Sequence, residues 1–162
     1  MTIEIREADW DDAIHCRGLL DVLDSYAGAP VGGGATLSAD VRERLIPALR
    51  EYPAALVLLA LHERQPVGAA TCFYGFSTFY ARPLLNVHDL AVLPEFQGRG
   101  IGRALLAAAE ERARARGCCK LTLEVREDNH RARKLYFERG FRDFELAGQQ
   151  YLTLFLSKPL VL

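Results

Sequence analysis

The sequence is short of the features that would tie a chain to a metal, a membrane, an export route or a nucleic acid. Its four cysteines, Cys16, Cys72, Cys118 and Cys119, lack the spacing of a zinc site or of a secreted disulfide framework and read as reduced thiols in a cytoplasmic protein. His15, His62, His88 and His130 are scattered. No H-x-x-x-H or H-E-x-x-H pair sets two of them on one helix face, so no metal site is expected. The longest mainly apolar runs, such as 54–61, fall far short of the roughly 20 residues that a bilayer demands. Residues 1–10 carry Glu4, Glu7 and Asp9 where a signal peptide is basic and then apolar, so neither export nor membrane insertion is expected. Twenty lysines and arginines against 21 aspartates and glutamates leave a net charge of −1. That balance supplies no field to recruit a phosphate backbone or an anionic lipid surface, so nucleic acid and membrane are not expected partners and any anion site must be local.

What remains is an ordinary globular composition, 50% hydrophobic and 25% charged over 162 residues. A chain of this length buries about 70% of the surface it exposes when unfolded, so a single domain over 1–162 is expected to stand without staples. Residues 2–6 alternate isoleucine with polar residues and predict a first strand. Asp9 or Asp11 is placed to cap a helix reaching about Ser25. The glycine-rich stretch 28–38 predicts a mobile surface loop, with a substrate lid as the alternative. Ser38 or Asp40 is placed to cap a second helix ending near Tyr52. Strands at 54–62 and 66–74, separated by Glu63, Arg64 and Gln65, predict a hairpin, and 84–93 a further strand. Residues 100–116 predict a helix with Ile101, Leu105, Ala108 and Ala109 on one face and Gly117 at its close. A strand at 121–125, a helix at 129–139 stopped by Gly140, and a last strand at 151–156 complete the chain. The order β-α-α-β-β-β-α-β-α-β-β predicts an α/β (α+β) fold, with a central mixed, largely antiparallel sheet and helices on both faces.

The chemistry gathers between the strand at 84–93 and the helix that follows. In Gln97-Gly98-Arg99-Gly100-Ile101-Gly102, three glycines let backbone approach a ligand while N–H groups converge at the positive end of a helix dipole. A nucleotide-triphosphate loop requires Gly-Lys-Ser or Gly-Lys-Thr, whereas Gly102 precedes Arg103 and Ala104. A dinucleotide loop requires G-x-G-x-x-G near the start of its domain; Glu124 sits close to the expected acidic position, but the glycine spacing differs and too little chain follows.

The run Leu90-Ala91-Val92-Leu93-Pro94-Glu95-Phe96-Gln97-Gly98-Arg99-Gly100-Ile101-Gly102 resembles motif A of the GCN5-related N-acetyltransferases. Asn129 to Tyr136, followed by Gly140-Phe141, resembles motif B of the same family, with its asparagine, its Leu-Tyr pair and its Gly-Phe ending. The resemblance implies a splayed parallel strand pair that forms an acetyl-CoA slot, opened by a β-bulge. It implies that backbone amides of Gln97, Gly98, Arg99, Gly100, Ile101, Gly102 and Arg103 hold the pyrophosphate. Leu90, Ala91 and Val92 then pair with the pantetheine arm, and Asn129 reaches the same arm, although that asparagine is equally a good helix cap.

Acetyl transfer from a thioester to an amine needs a neutral amine, a stabilised oxyanion and a proton for the departing thiolate. Tyr136 aligns with the family's general acid, and a phenol near pKa 10 can protonate a thiolate whose acid form lies near about 8.5. A backbone N–H on the bulged strand, that of Leu90, suits the oxyanion. His88 and Asp89 stand where small-amine acetyltransferases often carry Glu-Asp, and they are the candidates for base or amine attraction; Glu95 is a further carboxylate in the loop. Adjacent strand residues point to opposite faces unless the bulge intervenes. The aromatic run Phe73, Tyr74, Phe76, Phe79 and Tyr80 reads as core or as the wall of an acceptor pocket. The expected activity is acetyl-CoA-dependent N-acetylation of a small primary amine in a ternary complex, by a possible homodimer. The alternatives are N-terminal acetylation of proteins or peptides and a non-catalytic acyl-CoA sensor.

Overall fold

The computed structural model describes residues 1–146, 149–151 and 156–160, in two compact units, Met1–Leu123 and Glu124–Leu162. The first unit runs β1 (Glu4–Glu7), α1 (Ala13–Gly28), α2 (Ala39–Glu51), β2 (Ala55–His62), β3 (Gln65–Ser77), β4 (Arg82–Val92), a 3-10 turn at Pro94–Phe96, α3 (Ile101–Ala115) and β5 (Leu121–Leu123). Its strands form one sheet in the order β1-β2-β3-β4-β5. Neighbours are antiparallel except β4 and β5, which are parallel. The second unit holds α4 (His130–Glu138) and a short antiparallel hairpin of β6 (Phe144–Leu146) and β7 (Gln149–Tyr151).

Helices cover both faces of the five-stranded sheet. On one face Leu19, Val22 and Leu23 of α1 and Leu49 of α2 pack with Val57, Leu59, Leu61, Ala69 and Ala91. On the other, Gly68 lies one residue out of phase with Ala69, and a Cβ there would come within 3.2 Å of Ile101 Cγ2. The α3 helix therefore lies on the opposite face, where Ile101, Leu105, Leu106, Ala109 and Ala113 are buried. Strand β2 is consequently buried at six consecutive positions, as a strand between two helical layers must be. Each fully buried leucine among Leu19, Leu58, Leu59, Leu85, Leu105 and Leu106 contributes about 1.5–3 kcal/mol of transfer free energy.

The local chemistry corrects several boundaries. Asp12, rather than Asp9 or Asp11, caps α1, accepting the Ile14 N–H at 2.8 Å. Asp9 instead accepts the Asp11 N–H at 2.9 Å, and Asp11 pairs with Arg50 at 2.7 Å. Helix α1 continues three residues past Ser25, while Ser38 caps α2 as expected, accepting the Val41 N–H at 3.3 Å. The β2–β3 connection is a two-residue turn of Glu63 and Arg64, with φ of 49° and 68°. Both left-handed values suit the strand twist without glycine or asparagine to signal them, and Gln65 already pairs with His62.

The glycine-rich connection 29–38 is a hydrogen-bonded turn. Gly32 N–H donates to Ala29 O at 2.9 Å and Gly34 N–H to Ala27 O at 3.1 Å. A Cβ at Gly32 would stand 1.9 Å from Tyr26 O, so only glycine fits. Asp24 fastens the far end, accepting the Leu37 N–H at 2.8 Å and pairing with Arg42 at 3.0 Å. Strand β5 stops at Leu123, two residues before its expected end. Of the strand expected at 151–156, Tyr151 ends β7, 152–155 lie outside the described residues, and Leu156 is not in a strand.

Candidate active site

The site begins with a break in strand pairing. Thr71 faces Asp89 across the β3–β4 ladder, but Cys72 faces Val87, so His88 is an extra residue on β4, a β-bulge. Parallel pairing with β5 covers Leu85, Asn86 and Val87 and reaches no further along β4. Before the bulge, the Leu85 N–H donates to Lys120 O at 3.1 Å and the Asn86 side-chain amide to Thr122 Oγ1 at 3.1 Å. Among the described strands, none pairs with β4 on that side beyond Val87.

Backbone alternation says which groups face this open edge. Leu93 N–H donates to Val67 O at 2.9 Å, toward β3. Successive residues alternate in direction, so the N–H and C=O of Ala91 and Asp89 also face β3, while those of Leu90 and Val92 face the open side. Of the three residues expected to pair with a pantetheine arm, Leu90 and Val92 offer backbone groups there. Ala91 is committed to the ladder opposite Ala69, and its side chain lies in the core. The Val92 carbonyl accepts the Gln97 side-chain amide at 3.0 Å, which ties the strand end to the loop that follows.

That loop reaches the start of α3 through two left-handed glycines, Gly98 at φ 79° and Gly100 at φ 80°. An L side chain is strained at such angles, and a Cβ at either position would meet nothing within 4 Å. Space was never the constraint; conformation was. Gly100 is the N-cap of α3 and brings no side-chain cap, so the first-turn N–H groups of Ile101, Gly102 and Arg103 keep the orientation in which an anion is bound at a helix start. Arg99 turns back on the preceding turn, donating to Glu95 O at 3.1 Å with its guanidinium 5.7 Å from the Phe96 ring centre. Phosphate and amide-arm chemistry thus fits the backbone here: a cradle of amides, then an open strand edge.

His88 and Asp89 share a face because of the bulge. The His88 ring lies 5.5 Å from that of Phe73, which packs on the α1–α2 core, and Asp89 opposes Thr71 on the same face. Burial raises the Asp89 carboxyl above its ordinary value, and the neighbouring His88 opposes the rise. Burial, with Asp89 adding to it, pushes the Cys72 thiol up to about 12, so this cysteine is no thiolate nucleophile at neutral pH. Glu95 is exposed and lies off the bulge, in the 3-10 turn. The aromatic run divides: Phe73 is half-buried in the core, Tyr74 lies under Arg116 at 3.9 Å, and Phe79 at the β3–β4 turn is 96% exposed.

In the second unit, Asn129 caps α4, its Oδ1 accepting the Ala132 N–H at 3.1 Å. Tyr136 lies about two turns further on, half-buried, with its ring 5.8 Å from Phe141. Thr71 and Tyr52 carried no mark in the sequence. Their place beside Asp89 and Phe73 depends on the register at the bulge and on where α2 ends.

The first unit is thus a five-stranded mixed sheet whose bulged, half-unpaired strand leads into an amide cradle. The acetyltransferase (GNAT) family model matches residues 19–141, and the chain belongs to that family. It is 37% identical over 93 residues to an uncharacterized N-acetyltransferase of Archaeoglobus fulgidus, covering 57% of this chain and 63% of that protein. It is 35% identical over 77 residues to the thialysine N-epsilon-acetyltransferase of Bos taurus, covering 48% of this chain and 45% of that one. These matches span less than two thirds of either relative's length. The solved structure of a probable acetyltransferase superposes with a TM-score of 0.77 at 22% identity, over 98% of this chain and all of that one. Among the described residues, no helix is long and apolar enough to cross a membrane, and no three histidine, cysteine, aspartate or glutamate side chains could hold a metal ion.

Proposed function

We propose that the chain is a single domain that transfers an acetyl group from acetyl-CoA to the primary amine of a small molecule, by direct attack within a ternary complex. The observation that carries this reading is the open edge of β4 at Leu90 and Val92, continuous through Gln97 with the cradle before α3. The family match crosses the boundary between the two compact units, which supports treating them as one domain. The four free cysteines support a cytoplasmic setting, and a homodimer is carried over from the family resemblance.

In this reading the amides from Gln97 to Arg103 take the pyrophosphate, Leu90 and Val92 pair with the amide arm, and Asn129 adds a side-chain contact to it. When bound, acetyl-CoA supplies the activated acyl group. The Leu90 N–H faces the carbonyl oxygen, where a fixed donor favours the charge that develops. Asp89 attracts the amine as its cation, which sheds one proton to solvent by way of His88 before attack; as the C–N bond forms, the nitrogen gives a second proton to His88, directly or through a water. Tyr136 returns one proton to sulfur as the C–S bond breaks.

The test is a thiol-release assay with acetyl-CoA against diamines, amino acids, aminoglycosides and short peptides. We expect one class of small amine to turn over. We expect Tyr136→Phe to lower kcat by about 100-fold or more while KM for acetyl-CoA barely moves, the pattern of a group acting in the transition state. Turnover of peptides alone would move the substrate to proteins. Tight acetyl-CoA binding with no turnover at all would favour a sensor.

A further inference from the structure

The aromatic run that ends β3 is only partly used by the site. Pairing of β2 with β3 ends at Phe73, where the Tyr74 N–H donates to Ala54 O at 2.8 Å, and parallel pairing of β5 with β4 begins at Leu85. Beyond those limits residues 75–77 and 82–84 pair with each other and, through the Pro83 carbonyl, with the Cys119 N–H at 2.8 Å. Three rungs carry this two-stranded ribbon about 10 Å past the sheet before it turns. Phe79 in the turn is 96% exposed, Tyr80 64% and Phe76 63%, the most exposed phenylalanine and tyrosine rings among the described residues. Cations surround them. Alternation sets Phe76 on the face of β3 that carries Tyr74, and the Arg116 guanidinium lies 3.9 Å from the Tyr74 ring centre. Arg82 is next to Pro83, which opposes Phe76, so it lies on the other face of the ribbon. The Lys120 ammonium is 5.8 Å from the Tyr80 ring centre. Residues 74–84 and 116–120 hold these three cations and no aspartate or glutamate. Glu7, the acid whose charge reaches Tyr74, is paired with Arg112 at 3.8 Å. Among the described residues, none of the three cations is in an ion pair.

Charge speaks against a second copy of the chain as the partner of this tip, since a two-fold contact sets like cations together. Area speaks against a folded protein: three rings of about 150–250 Å² each, exposed to this extent, offer roughly 400–500 Å², about half of the ~800 Å² a side that stable interfaces use. A lipid surface needs no matching shape and accepts a narrow tip. It is held by the two features found here, rings at the interfacial level and cations among anionic headgroups. We infer that the β3–β4 ribbon is a membrane-contact element: Phe76, Phe79 and Tyr80 enter the headgroup layer of an anionic bilayer, and Arg82, Arg116 and Lys120 meet its phosphates and carboxylates. Net charge alone predicts no membrane partner, because it averages away an excess that the fold gathers from β4 and from the connection between α3 and β5. Strand β4 is 11 residues long, about 30 Å or more, so the cradle at its far end stays clear of a bilayer touched by the tip. The contact is reversible, of the strength that a single acyl chain supplies.

The experiment is flotation of the full chain with vesicles of phosphatidylcholine alone and of phosphatidylcholine mixed with phosphatidylserine. We expect association of about 10⁴ M⁻¹ in lipid with the mixed vesicles. It should be about tenfold weaker or more with phosphatidylcholine alone, and should fall as salt is raised. Phe79→Ala should weaken binding by about tenfold, and so should Arg82→Gln combined with Lys120→Gln; Phe79→Trp should keep it. All three side chains are exposed, so these variants should melt with the parent, which separates lost binding from lost fold. No association with either vesicle, equal association with both, or association untouched by the variants overturns the inference. Binding of a polyglutamate peptide, but of no vesicle, that Phe79→Ala weakens makes the tip a protein-docking element and overturns it as well. So does self-association in sedimentation that Phe79→Ala abolishes, in a chain that no vesicle binds. None of these outcomes depends on acetyl transfer, so the contact and the transferase reading stand or fall separately.

Discussion

The two halves of β4 share a strand and differ in almost everything else. From Arg82 to Val87 the strand is paired with β3, and from Leu85 to Val87 with β5 as well; Leu85 is fully buried, and the Asn86 side-chain amide donates to Thr122. From His88 to Val92 it keeps, among the described strands, only the β3 ladder, and Leu90 and Val92 turn their backbone groups outward, the Val92 carbonyl to the Gln97 side chain. One inserted residue accounts for the change. A bulge adds twist and ends pairing on one side, so a strand that is scaffold up to Val87 has an open edge for the next five residues. An unpaired edge is a liability for aggregation, and the structure accepts it where a ligand's amides can complete the ladder.

The largest effect expected of this contrast is on the closed half. Leu85→Ala removes a fully buried side chain and should cost about 2–5 kcal/mol in denaturant unfolding. A loss below about 1 kcal/mol would mean that the closed half is not the scaffold it is taken for. Next in size is the cradle that the open half leads into. Gly100→Ala forces an L residue to φ 80° in open space, so it should cost about 1–2 kcal/mol through conformation alone. A loop that relaxes from that strain no longer holds the amides before α3 in place, so acetyl-CoA binding should weaken by calorimetry; intact binding would sever the cradle from the donor.

The smallest effect carries the opposite sign. Burial raises the Asp89 carboxyl in the folded chain, so the folded state holds that proton more tightly than the unfolded state and ionisation opposes folding. Asp89→Asn should therefore raise Tm at neutral pH. The gain should shrink as pH falls through the raised folded-state pKa and vanish below the ordinary aspartate range near about 3.9. A variant less stable than the parent at neutral pH would make Asp89 a structural residue rather than one kept for its charge.

Much of the scaffold was legible because its signals are local. The alternation at 2–6, the alanine- and leucine-rich face of α3 and the glycines of the cradle each depend on a few neighbouring residues. What was illegible depends on register. Nothing in Asn86-Val87-His88-Asp89-Leu90 marks His88 as the extra residue, and without that the shared face of His88 and Asp89 and the opposite turn of Ala91 cannot be derived. Asp9, Asp11 and Asp12 are equivalent caps in sequence, and only the turn that Asp9 closes onto Asp11 leaves the helix to Asp12. Glu63 and Arg64 hide a tight turn because neither is a usual left-handed residue; the flanking strands impose it.

Site-resolved amide hydrogen exchange, with and without acetyl-CoA, tests the central claim most directly. The Leu90 and Val92 amides face the open edge and should exchange readily in the free protein, then become strongly protected with acetyl-CoA, while Ala91, already in the β3 ladder, changes little. If Leu90 and Val92 are protected without the ligand, or stay unprotected with it bound, the open half of β4 is not the donor's edge.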